Sequence, residues 1–153
     1  MTTLAIVRPS DWEVPLFVHV LGAMLLVGGL VVVAVSLLLA RRRAGEDAAA
    51  LAGLAYRTLF LLVLPAFVAM RIGAQWVVSE TGYDESDPDW VGVGYVTSDL
   101  GAVLLVGALV VAGIALRGRA ARGAALARVV MILSLLLIAA YVVAIWAMTT
   151  KPT

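Results

Sequence analysis

The chain has 153 residues, 63% hydrophobic and 14% charged, with no cysteine and a net charge of +1; its mean hydropathy is +1.07. Soluble domains hold about 45–50% apolar and about 25% charged residues, so this composition excludes a soluble domain and predicts one small membrane-embedded helical bundle over residues 1–153. The lack of cysteine excludes disulfides, thiolate metal sites and covalently attached haem.

In chain order, Ser10-Asp11-Trp12-Glu13 reads as a capping box, serine at N-cap and glutamate at N3. Residues 14–40 carry no charge and are long enough for one tilted crossing. This run is too long for the apolar region of a signal peptide, and it ends in Arg41-Arg42-Arg43 where a cleavage site would want small residues. Gly22, Gly29 and Ser36 recur every seven residues, a small-residue seam suited to close helix contact in lipid. His19 lies one turn before Gly22 on the same side.

Residues 41–57 read as a basic loop, and a second span covers residues 55–78. Pro65 removes a backbone donor within it and predicts a kink that frees the Leu61 carbonyl. Gln75 shares a face with Arg71. An acidic loop follows, and Asp87-Pro88-Asp89 reads as an N-cap with proline at the first helical position. The third span covers residues 93–116, with Gly94, Ser98 and Ala102 as a second small-residue stripe beside Asp99. The fourth covers residues 126–148 and carries Ser134 and Tyr141 on one face. The expected fold is all-α, a transmembrane four-helix bundle.

Charge sets the expected orientation. Arg41, Arg42, Arg43 and Arg57 flank the first loop, Arg117, Arg119, Arg122 and Arg128 the third, and the second has no base. The positive-inside rule then places the first and third loops in the cytoplasm and both termini on the outer side. Trp12, Trp76, Trp90 and Trp146 all fall at the ends assigned outward, where indoles favour the membrane interface. At 1.5 Å per residue, Arg71 and Tyr141 lie roughly 7 Å below that tryptophan plane, His19 about 10 Å and Asp99 about 13 Å. Four spans thus place polar groups in one slab. The expected cluster is His19, Arg71, Gln75, Asp99 and Tyr141, with an Arg71–Asp99 ion pair at its centre, because an intramembrane charge needs a partner. Snorkelling of Arg71 and an N-cap position for Asp99 are the alternatives.

His19 is the only histidine and the only metal-ligand candidate. Hydrogen-bonded packing is its commoner use in a span; axial ligation of haem, or Cu(I) with methionines such as Met24, Met70 or Met148, is the alternative. No H-x-H or M-x-M spacing accompanies it, and no cofactor is expected. The acidic loop lacks a calcium-loop glycine at the required place. The basic loops suit anionic lipid and not nucleic acid. No phosphate loop, nucleophile elbow or H-E-x-x-H motif is present, so the chain leans away from enzymes.

The run F-V-H-V-L-G-A-M-L-L-V-G-G at Phe17–Gly29, followed by a basic stop, and the closing A-M-T-T-K-P at Ala147–Pro152 resemble an uncharacterised domain-of-unknown-function family of predicted bacterial integral membrane proteins, itself distantly similar to the CopD copper-resistance membrane domain. The resemblance implies a four-helix bundle with His19 at the mouth of the first helix, and copper or haem handling by the more distant likeness. The scarcity of histidines departs from a metal-handling relative.

The residues therefore point to a multi-pass protein of a bacterial inner membrane. The leading expectation is a non-enzymatic binding or structural component, self-associating through one of the small-residue seams or joining other membrane proteins. A haem- or copper-handling protein using His19 and a proton-coupled small permease are the alternatives.

Overall fold

The structure is a computed structural model that describes residues 12–81, 89–117 and 120–150. Five α-helices run in order: α1 Glu13–Ala40, α2 Gly45–Thr58, α3 Leu64–Thr81, α4 Asp89–Arg117 and α5 Ala120–Thr150. A π-helical turn, Leu59–Val63, joins α2 to α3 as one continuous rod. Among the described residues four stretches are long and apolar enough to cross a membrane: Glu13–Ala40, Gly45–Glu80, Gly92–Arg117 and Gly123–Thr150. The fold is the expected all-α four-helix bundle of an integral membrane protein. Ser10, expected to cap α1, and the Asp87-Pro88 pair lie outside the described residues; the N-cap position of α1 falls at Trp12, with no side-chain cap bond, and Glu13 is its first residue.

The first connection is shorter than the sequence suggests. Only residues 41–44 leave the helix, and Gly45 takes φ 63°, a left-handed conformation that an L side chain disfavours. Residues read as a basic loop instead form α2, which buries Ala55 and Tyr56 and packs back on α1. The polar residues that obscured it, Glu46 and Asp47, occupy its first turn, where acids favour a helix. Just before Pro65, where a kink is expected, the helix takes a π turn, in which the Leu64 N–H donates to the Leu59 carbonyl five residues back.

Two tight seams hold the bundle. In the first, α1 and α3 run antiparallel: a Cβ on Gly22 would stand 2.5 Å from the Met70 backbone nitrogen, and one on Gly73 2.5 Å from that of His19. Further along, Gly29 admits the bulk of the π turn, with Val63 Cγ2 only 2.7 Å from where its Cβ would be. Leu26, Leu30, Val33 and Leu37 continue this buried face of α1. In the second seam α4 lies antiparallel on α5. Ser98, Gly101, Leu105, Ala108 and Ala112 are buried on α4, and Val130, Ser134, Leu137, Tyr141 and Ala144 on α5. Their alternating three- and four-residue steps are the pattern of interlocked helices.

Both predicted small-residue stripes are therefore consumed inside one chain. Gly22, Gly29 and Ser36 are buried, the glycines against α3 and the π turn. Gly94 faces Met148 and Ser98 is buried, but the next member of the seam is Gly101 in place of Ala102, because Gly101 completes the heptad step.

The helices form an arc in the order α3, α1, α5, α4. Consecutive members pack closely, α2 touches α4 at the arginine-bearing end, and the backbones of α3 and α4 hardly approach each other among the described residues. The arc is open between α3 and α4.

Candidate functional site

The opening between α3 and α4 is spanned by side chains. Arg71 Nη2 on α3 stands 2.8 Å from Asp99 Oδ1 on α4. The same guanidinium lies over the Tyr95 ring, 5.5 Å from its centroid, within the range of a cation–π contact. One turn nearer the tryptophan-bearing end, the Tyr95 hydroxyl donates to Gln75 Oε1 at 3.5 Å, a weak bond. Tyr95 and Asp99 are four residues apart on α4, as Arg71 and Gln75 are on α3, so each helix offers two groups on one face.

The ion pair is unevenly covered. The Arg71 side chain is 30% exposed and that of Asp99 67%. Arg71 is largely covered within the gap, while the Asp99 carboxylate is mostly uncovered by the chain. Protein covers the cluster only in part, because among the described residues α4 has one closely packed neighbour.

The remaining candidates sit apart from this group. His19 Nδ1 is 3.0 Å from the Met70 carbonyl, within the α1–α3 seam. That carbonyl belongs to the turn beside Gly73, whose missing side chain lets the α1 backbone come close. His19 thus fastens two spans at their crossing. Met70 is buried in the same contact. Among the described residues no three His, Asp or Glu side chains group as a metal site. Tyr141 lies in the α4–α5 seam with its hydroxyl against the Gly101 backbone. Neither that hydroxyl nor Ser98 Oγ meets a hydrogen-bond partner among the described residues, although both are buried. Ser134, by contrast, donates back to the Val130 carbonyl at 2.9 Å.

The five expected residues therefore separate by location: Arg71, Asp99 and Gln75 at the α3–α4 opening, His19 between α1 and α3, and Tyr141 between α4 and α5. Tyr95 is the member that sequence reasoning missed. Its signal was its position one turn from Asp99, masked because an aromatic residue near a membrane interface is commonplace. A separate hollow lined by Leu39, Arg43, Asp47, Ala50 and Leu51 lies at the arginine-bearing end, where Arg43 and Asp47 form an exposed pair at 4.0 Å. It shares no residue with the α3–α4 group.

Chemically, the opening offers one cation, one anion, a phenol and an amide in a short row. Such groups can meet charged or hydrogen-bonding partners. No family model, curated protein or solved structure matches the chain.

Proposed function

We propose that the chain is a non-enzymatic binding component of a bacterial inner membrane, acting laterally through the α3–α4 opening. The arginines at the 41–44 turn and near the α4–α5 connection support cytoplasmic placement of that end, and the tryptophans support outward placement of the other.

One observation carries the proposal: the Asp99 carboxylate is 67% exposed within a membrane-spanning stretch. Gly92–Arg117 has 26 residues, about 39 Å of helix against about 30 Å of hydrocarbon. With the helix centred, Asp99 lies about 6 Å inside the apolar layer. Aspartate lacks the stem to reach the headgroups, and an isolated acid at such a site costs up to about 2.5–3.5 kcal/mol. Arg71 offsets part of that cost from one side only. A polar surface maintained at this depth serves to receive something.

The test is extraction of the protein with its surrounding bilayer in polymer-bounded lipid discs, then mass measurement of the intact particle. Protein mass above the 16.0 kDa of one chain is expected. A particle holding a single chain and lipid alone would refute a lateral binding role.

A further inference from the structure

We infer that the α3–α4 opening receives a second copy of this chain, paired about a two-fold axis along the membrane normal, with α4 against the partner's α4. The inference rests on the lateral-binding proposal and names its occupant.

The argument begins with a periodicity on α4 that the fold leaves unused. Besides the seam facing α5, α4 carries Val96, Asp99, Val103, Val106, Val110 and Gly113, with steps of three and four residues throughout. At about 100° per residue this second seam is turned roughly 160° from the first. The side chains of Val96, Val103 and Val110 are 68%, 69% and 55% exposed, and Val106 is 58% exposed. A Cβ on Gly113 would meet nothing within 4 Å. A face that only meets lipid also recurs at steps of three and four, as Phe17, Leu21 and Met24 on α1 show; what α4 adds is one residue type at every seventh position, with a charge in the same row. A seven-residue repeat of one β-branched residue is what a parallel two-stranded helix contact selects.

Polarity and charge then choose the occupant. A headgroup is too shallow to cover Asp99, so a protein group has to. The surface carries one positive and one negative charge side by side. Such a pair is complementary to itself under a two-fold rotation, because Arg71 of each copy can approach Asp99 of the other. With the axis along the membrane normal both acids lie at one depth, and two guanidinium groups neutralise two carboxylates. α4 is also the least covered span, with 22% of its central window buried against 39% for α1. A second α4 supplies the neighbour that the open arc lacks.

The absence of cysteine makes the test direct. Single Val96→Cys, Val103→Cys and Val110→Cys variants are oxidised in native membranes, with Val93→Cys on another face of the same helix, Met24→Cys on α1 and Val142→Cys on α5 as controls. The expected result is disulfide-linked dimer at the three valine positions and little at the controls, since bridging needs Cα atoms within about 7 Å. Dimer formation without the seven-residue period, or equal to the controls, overturns the inference, and so does its absence. If the disc-extracted particle contains only a different protein, lateral binding stands and this inference falls. A second arm co-expresses differently tagged Arg71→Asp and Asp99→Arg chains. Each alone has like charges and should self-associate roughly three- to fifteenfold more weakly. Together they should co-purify near the wild-type level, because opposite charges now meet only between copies. Failure of the mixture to recover would assign the pair to a purely intrachain role.

Discussion

The closest backbone approach among the described residues gives the sharpest stability prediction. Alanine at Gly22 would place its Cβ 2.5 Å from the Met70 nitrogen and 2.8 Å from the Met70 Cα; at Gly73 the corresponding distances to His19 are also 2.5 and 2.8 Å. Both obstacles are backbone, which cannot rotate away, so α1 and α3 must separate by about 1 Å to reach ordinary contact. Such overpacking costs about 1–3 kcal/mol. Separation also stretches the 3.0 Å His19–Met70 hydrogen bond beyond useful range, a further loss of about 0.5–1.5 kcal/mol. The helix-propensity gain of alanine over glycine, about 0.5–1 kcal/mol, offsets part of this. We expect each variant to lose about 1–3 kcal/mol, and the double variant to lose less than their sum, because one separation relieves both clashes. Gly28→Ala is the control: nothing lies within 4 Å of its Cβ, so it should be neutral or slightly stabilising. Reversible unfolding in mixed micelles, followed by far-ultraviolet circular dichroism, measures all four. Gly22→Ala and Gly73→Ala variants as stable as Gly28→Ala would refute the close crossing, and strict additivity would refute the shared displacement.

Asp99→Asn leaves Arg71 without its counter-charge and should cost about 1–2 kcal/mol, whereas Asp47→Asn in the exposed Arg43 pair should stay within about 0.5 kcal/mol; similar small losses in the same unfolding assay would place Asp99 in water. Tyr141→Phe removes a buried hydroxyl that has no partner among the described residues, so stability should hold or rise, and a loss above about 1 kcal/mol would reveal a bond to that oxygen. The π turn holds one more residue than an α turn, so deleting Leu61, which is 77% exposed, should preserve both flanking faces. Deleting Val68 should instead rotate one side of α3 by about 100° and abolish folding; equal tolerance, judged by yield of monodisperse protein, would dismiss the π turn. Purified protein supplemented with haem should show no Soret band, because His19 is engaged in a helix crossing, and a stoichiometric band would restore the haem alternative.

The contact between Arg71 and Asp99 was legible in the sequence because an intramembrane charge must find a partner, and few were on offer. The role of Tyr95 was not, since its ring would look the same in an interfacial belt. The seven-residue stripe of Gly22, Gly29 and Ser36 announced a close contact but not its address. Only the structure shows that α3 and the π turn fill it. The Gly94 stripe was traced one residue astray at Ala102, because steps of four and steps alternating four and three diverge only after the second turn. α2 was hidden because its first turn carries acids and its apolar face is narrow.

From the residues alone came four apolar crossings, their antiparallel succession and the segregation of arginine and tryptophan to opposite ends. Length, hydropathy and charge are one-dimensional quantities, and a bilayer converts them directly into topology. Which faces meet was decided only in three dimensions. Every span is apolar around its circumference, and lipid is as apolar as a neighbouring helix, so burial leaves no periodic mark to read. Close approach at the glycines, to backbone in the α1–α3 pair and to the Tyr141 and Met148 side chains in the α4–α5 pair, selected these contacts, and the same geometry left Asp99 looking out of an open arc.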